Sequence, residues 1–275
     1  MKWPCILSLL LLTACHQAST HDKSDRAAVA EMSVDPSTEE KKYMSTNIAE
    51  KKAYFEQTFL QMRDTASYEE ETIWGSLHIG NLFGEEHRAA VLRTMVNDST
   101  ANVVVLRQTG NKWDTILFRS YPEMEVVAWE DYIDIKDFNG DDIPDLFIAT
   151  GCSYIMHTAS WGELWLSVND RFRKVEGFED VVNPTYYKQD DRIYAYQSRG
   201  CADMNMYFGV LRISNYKVQH ITAVSCDCCS EDSCIIKADA RKAITVPIQK
   251  ACEYVPAYYA DVVKEKCDWV IEHRQ

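Results

Sequence analysis

Two stretches of this chain can be laid over each other. "HIGNLFGEEHRAAVLRT" (78–94) lies over "IKDFNGDDIPDLFIAT" (135–150) when Gly84 is set on Gly140. Asn81 then falls on Asp137, Phe83 on Asn139, Glu85 on Asp141 and Ala89 on Asp145. A hairpin-like stretch follows each copy, VVVLRQTGNKWDTILF and then ELWLSVNDRFRKVEGF, and a third, GVLRISNYKVQHIT, comes after Gly200–Met206. A repeated strand–turn–strand unit of this size cannot bury its apolar face alone, so successive units must stack. The spacing between the first two copies is about that of a propeller blade. Apolar runs at Ala89–Val96, Asn102–Leu106, Ile116–Phe118, Leu146–Ala149 and Leu164–Val168 read as strands. The pairs Gly110-Asn111, Asn169-Asp170 and Asn215-Tyr216 punctuate them as turns. The expected fold is mainly β: a propeller-like antiparallel β domain with an N-terminal helix and a cysteine-rich C-terminal helical appendage.

The flanks divide the chain further. Residues 1–14 read as a signal peptide, since Lys2 precedes an apolar run, Ile6–Leu12, that is too short to span a bilayer. Residues 15–42 are polar, charged and without a sustained apolar period, which reads as a flexible tether. The β domain and its leading helix are expected over 43–224. Ile48, Tyr54, Phe55, Phe59 and Met62 recur on one helical face from Tyr43 to about Arg63. Residues 225–275 form the appendage, with a helix expected from Pro256 to about Glu272. The chain is 46% hydrophobic, enough for a real core. Its net charge of −13 disfavours nucleic acid and anionic lipid surfaces and suits a basic partner.

Within the second copy, oxygen-bearing side chains alternate. Counting Asp137 as position one, they stand at one, three (Asn139), five (Asp141) and nine (Asp145), with the backbone carbonyl of Ile143 at seven. This alternation wraps a loop around a hard cation, and calcium takes six to eight oxygens at flexible distances. Position twelve, where an EF-hand needs Glu, is Ile148. A solvated acidic turn without metal is the alternative.

The loop resembles the calcium loop of FG-GAP and VCBS-type repeats, in which Asp-x-Asn-Gly-Asp-x-x-x-Asp-Leu leads into a strand. Asp137, Asn139, Gly140, Asp141, Asp145 and Leu146 match, and Asp142 departs from the usual Gly. The resemblance implies that the ion pins a strand-to-strand loop. Leu12-Thr13-Ala14-Cys15 resembles the lipobox of bacterial lipoproteins, which implies lipidation of Cys15. His16 in place of Asp implies the outer membrane by the same analogy. Taken with the segment NPTYYKQDDRIYAYQSRG (183–200), the pattern over 72–224 is similar to small propeller-like periplasmic lipoproteins that inhibit lysozyme-like peptidoglycan hydrolases, immunity proteins among them. The Ser-Gly-x-x-Tyr loop that several such inhibitors expose has no counterpart, because the chain contains no Ser-Gly pair.

The partner surface is expected in GCSYIMHTASWG (151–162), with Ser153, Tyr154, Met156, His157 and Trp161 as contacts. A hairpin whose aromatics pack inward is the competing reading. Eight cysteines beyond Cys5 and Cys15 point to disulfides in an exported chain, with connectivity open among roughly 105 pairings. Cys152 and Cys201 each follow a Gly at similar places in successive repeats and are expected to pair. Zinc at CDCCSEDSC is the rival, but the paired Cys-x2-Cys knuckles are missing. No catalytic residues are expected: His78, His87, His157 and His220 stand singly, and there is no Gly-x-Ser-x-Gly. Glu125, Glu130 and Asp131 read as solvated or calcium-adjacent acids. An adhesion or glycan-binding module is the second class that the sequence allows, and an envelope hydrolase the third.

Overall fold

The computed structural model describes residues 38–84, 87–122, 133–153, 159–199, 205–227, 233–238 and 242–259. Among them the chain is mainly β, built from three consecutive antiparallel meanders preceded by one helix, α1 (Thr38–Met62). The first meander comprises β1 (Tyr68–Thr72), β2 (Gly75–Gly80), β3 (Ala89–Asn97), β4 (Thr100–Thr109) and β5 (Lys112–Pro122). The second comprises β6 (Ile133–Lys136), β7 (Asp145–Ser153), β8 (Ala159–Val168) and β9 (Arg171–Lys174). The third comprises β10 (Thr185–Tyr187), β11 (Arg192–Arg199), β12 (Asn205–Ser214), β13 (Lys217–Asp227), β14 (Ser233–Ala238) and β15 (Ile244–Pro247). In each sheet the strands lie in sequence order, and among the described residues no sheet closes into a barrel.

Local turn chemistry sets these hairpins. Asn169 and Asp170 carry φ of 48° and 62°, and Asn215 and Tyr216 carry 51° and 60°. Positive φ at both central residues of a two-residue loop matches the twist of the strands it joins. Gly110 supplies φ 60° at the equivalent turn of the first meander.

The repeat extends to register. Gly80 pairs with Ala89 across β2 and β3, and Lys136 pairs with Asp145 across β6 and β7, each partner displaced by the same 56 positions. The third unit echoes the second at an offset of 46, since β8 and β12 then coincide end to end.

The second meander is the middle layer, which explains its unbroken apolar run. Leu146 and Ile148 point into a core shared with Val91, Met95, Val103 and Val105 of the first sheet. Phe147 and Ala149, on the other face, join Ile193, Ala195 and Leu211 of the third sheet. A strand buried on both faces needs no polar alternation, and each fully buried large side chain contributes roughly 1.5–3 kcal/mol. α1 covers the outer face of the first sheet through Phe55, Phe59 and Met62, packed with Leu77, Ile79 and Leu92. Ile48 is buried in the other core, while Tyr54 leaves the apolar face and donates its hydroxyl to Glu70 at 2.9 Å.

Three expectations are corrected. The helix begins at Thr38, inside the segment read as tether. It carries too few apolar residues in its first turns to announce itself. Strand pairing does not end near Val224: β13 runs to Asp227, and β14 and β15 add to the same sheet. Along β14 the buried residues Cys234 and Ile236 alternate with Ile235 and Lys237, a period of two hidden by the density of cysteines. The C-terminal segment is therefore no purely helical appendage. It closes with a short helix, α2 (Ile248–Ala251), and 3-10 turns at Cys252–Tyr254 and Ala257–Tyr259; the rest of the helix expected from Pro256 lies outside the described residues.

Candidate functional site

The acidic loop joins β6 to β7 and caps itself with its own side chains. Asp137 Oδ1 accepts from the backbone N–H of Asn139 at 3.0 Å and of Gly140 at 2.6 Å. Its Oδ2 accepts from the Asp142 N–H at 3.0 Å. Asn139 Oδ1 accepts from the Asp141 N–H, and Asp141 Oδ1 from the Ile143 N–H, both at 2.9 Å. Short polar side chains that bond the backbone two residues on are a stable substitute for secondary structure in such a turn. Gly140 at φ 83° and Asp142 at φ 64° provide the left-handed steps the reversal needs. A Cβ on Gly140 would sit 2.1 Å from the Tyr186 hydroxyl, so that position has no room for a side chain.

Asp145, the first residue of β7, is fully buried. Its Oδ2 accepts from the Phe138 N–H and its Oδ1 from the Ser167 N–H, each at 3.0 Å, tying loop, β7 and β8 together. Burial pushes its carboxyl up to about 7 against the pull of those two N–H groups, and the charges of Asp141 and Asp137 push it further. Among the described residues the ion pair at this loop joins Lys188 to Asp142, and no Lys or Arg pairs with Asp137, Asp141 or Asp145. Lys188 is raised by its hydrogen bond to Asp142 and by the charges of Asp142 and Asp137. The donor set of Asp137, Asn139, Asp141, the Ile143 carbonyl and Asp145 is all oxygen, the kind that hard cations take. Among the described residues no cluster of three or more His, Cys, Asp or Glu side chains is arranged to hold a metal.

The loop's neighbours come from a segment where sequence reasoning named no site residue. Tyr186 and Lys188 lie on the β10–β11 hairpin. The Tyr186 hydroxyl donates to Asp191 Oδ1 at 3.1 Å, and burial first, then this carboxylate, pushes the phenol up to about 12. The available signal was the third copy itself, since Asp191 stands 46 positions after Asp145.

A second polar centre was also missed. Glu163 on β8 is buried, with Oε2 accepting from the Tyr121 hydroxyl at 2.7 Å and the Trp165 indole N–H at 3.2 Å. Its Oε1 accepts from Lys174 Nζ at 2.5 Å, and Arg119 lies 3.6 Å away. Burial alone would raise its carboxyl, but Lys174, Tyr121 and Arg119 together hold it below the usual glutamate range. His78 stands 3.7 Å from Glu69 and 3.6 Å from Glu71 across β1 and β2, a proximity the linear spacing did not show.

The described part of the expected partner segment, 151–153 and 159–162, is strand. Gly151, Cys152 and Ser153 of β7 pair with Trp161, Ser160 and Ala159 of β8. Trp161 is half-buried, and its indole lies over Gly151, where a Cβ would meet Nε1 at 2.6 Å. Tyr154, Met156 and His157 lie outside the described residues, as do Cys15, Cys201 and the side chain of Cys152. Cys226 and Cys234, the first and last cysteines of CDCCSEDSC, form a disulfide directly across β13 and β14.

No family of described proteins matches this chain, and no characterised protein matches its sequence. A solved structure described as that of a Xanthomonas type IV secretion system related protein is similar to it with a TM-score of 0.39 and 10% identity, over 67% of this chain and 95% of that one. Among the described residues no helix is long and apolar enough to cross a membrane.

Proposed function

We propose that this chain is a calcium-loaded binding protein of the bacterial envelope, anchored by lipid at Cys15, whose partner is a basic peptidoglycan hydrolase of the lysozyme type. The observation that carries the calcium reading is the buried Asp145 carboxylate beside Asp137 and Asp141, with no described Lys or Arg paired to any of the three. A hard cation among these oxygens offsets that repulsion. The ion then serves the scaffold: it holds β6, β7 and β8 at the mouth of a layered, propeller-like stack in which each meander acts as a blade. The inhibitor reading draws on the lipoprotein resemblance and on a net charge of −13, which steers basic partners toward the surface. Ser153, Tyr154, Met156, His157 and Trp161 are its proposed contacts.

The mature chain, immobilised with calcium, is expected to capture a basic muramidase and to inhibit its lysis of peptidoglycan at stoichiometric ratios. Muramidases that neither bind nor lose activity at micromolar concentrations of the chain would contradict this partner.

A further inference from the structure

We propose that a cleft between the first two sheets, beside the acidic loop, binds a neutral saccharide ring. The cleft has a volume of about 400 Å³, within the range of small-molecule sites. Its apolar wall is built by Phe83 and Phe172, ring centroids 4.8 Å apart and nearly perpendicular, with Ile116 beside them. The polar rim is the β8–β9 turn, whose residues Asn169 and Asp170 are fixed by their left-handed backbone. Arg107 holds that turn twice: Nη1 lies 3.3 Å from Asp170 Oδ1 and donates to the Asp170 carbonyl at 3.2 Å. The imidazole of His87 stands 3.8 Å from the same carboxylate.

The occupant follows by elimination. A cationic ligand meets Arg107, and an anionic one meets Asp170 within an acidic molecule; the rim has already neutralised itself as an ion pair. A wholly apolar ligand would cover the Asn169 and Asp170 polar atoms without bonding them, which costs free energy. A sugar ring satisfies both walls. Its C–H face packs against the aromatic rings, and its hydroxyls donate to Asp170 and accept from Arg107 and Asn169 without breaking their pairing. Two residues couple the cleft to the loop: Ile143 and Ser167 line it, and their backbone N–H groups bond Asp141 and Asp145. The proposal rests neither on calcium nor on the hydrolase, and it adds a ligand site to the binding protein described above.

The test is a titration of the full mature chain with chitotetraose and with maltotetraose, followed by calorimetry and by NMR shift mapping. At least one is expected to bind saturably, with affinity reduced at least tenfold in Asp170→Ala and in Arg107→Gln. Phe172→Ala carries a risk of misfolding because that ring packs against the core, so His87→Ala, at an exposed position, serves as a third variant with an expected loss of a few fold. The proposal is overturned if neither oligosaccharide binds, or if binding is unchanged in Asp170→Ala and Arg107→Gln. It is equally overturned if the cleft responds only to a Lys- or Phe-containing tripeptide, which would make it a peptide site.

Discussion

The loops after β2 and after β6 connect the same two strand positions in the same register, yet they close by opposite chemistry. In the second, Asp145 caps the Ser167 N–H with a carboxylate at 3.0 Å. In the first, Ala89 stands in that place, and the corresponding N–H, that of Gln108, donates to the Arg88 carbonyl at 2.9 Å. Where the second loop turns on Asn139 and Asp141, the first has Phe83, whose ring packs edge-on against Phe172. Among the described residues the first loop is held by the Phe83–Phe172 contact, by backbone and by cationic side chains, with Arg88 donating to Gln108 Oε1 at 3.1 Å, whereas the second concentrates negative charge around a buried acid. In the second loop the carboxylates themselves close the turn: Asp137 accepts from three backbone N–H groups and Asp145 from two.

The largest expected effect comes from making the first loop imitate the second at one position only. Ala89→Asp puts a carboxylate at a site 3% exposed, in a loop where Phe83 stands in place of the Asn139 oxygen and Asn81 in place of the Asp137 carboxylate. It should destabilise the chain by roughly 3–5 kcal/mol in denaturant unfolding, as for other uncompensated buried charges. A loss below about 1 kcal/mol would mean that the first loop accommodates a buried carboxylate as the second does. Next comes the glycine shared by both loops. Gly140→Ala forces the Tyr186 hydroxyl aside and holds an L-residue at φ 83°, which should cost about 2 kcal/mol or more. Gly84→Ala, with nothing within 4 Å of the added carbon, should cost only the backbone part, about 1 kcal/mol. Equal losses would dissolve the distinction.

An effect of similar size to that at Gly84 concerns the joint between the two copies. Glu163 bridges β5 and β8–β9, and its depressed folded-state pKa makes its contribution full above the ordinary glutamate value of 4.5. That contribution drains away as pH falls below 4.5 toward the folded value. Glu163→Gln should therefore cost about 1–2 kcal/mol at neutral pH, discounted because Arg119 and Lys174 are partly solvated, and progressively less toward pH 3. Melting curves of the two proteins that stayed a constant distance apart from pH 7 to pH 3 would remove the ion network from the account.

Much of this was legible in the sequence because it is local. The Asn169-Asp170 and Asn215-Tyr216 turns announce themselves by residue type, and the repeat placed β2–β3 on β6–β7 to the residue. The ligand-like alternation from Asp137 to Asp145 lies within nine consecutive residues. What escaped is long-range. Tyr121 reaches Glu163 across 42 positions, and Lys188 reaches Asp142 across 46, so no window of sequence holds both partners. The pair β14–β15 was hidden for a different reason: cysteines at buried strand positions read as a disulfide framework rather than as the apolar phase of a strand. The start of α1 was hidden by TEEKKYMSTN, where charge density resembles tether more than helix.

Thermal unfolding of the mature chain in chelator and in millimolar calcium, run beside Asp145→Asn, bears most directly on the claim that the second loop is built around a cation. Calcium at about a hundred times its dissociation constant should raise the melting temperature of the native chain by about 5–10 °C and leave Asp145→Asn close to its chelator value. Coincident melting curves for the native chain with and without calcium would contradict the account and leave the loop a solvated acidic turn.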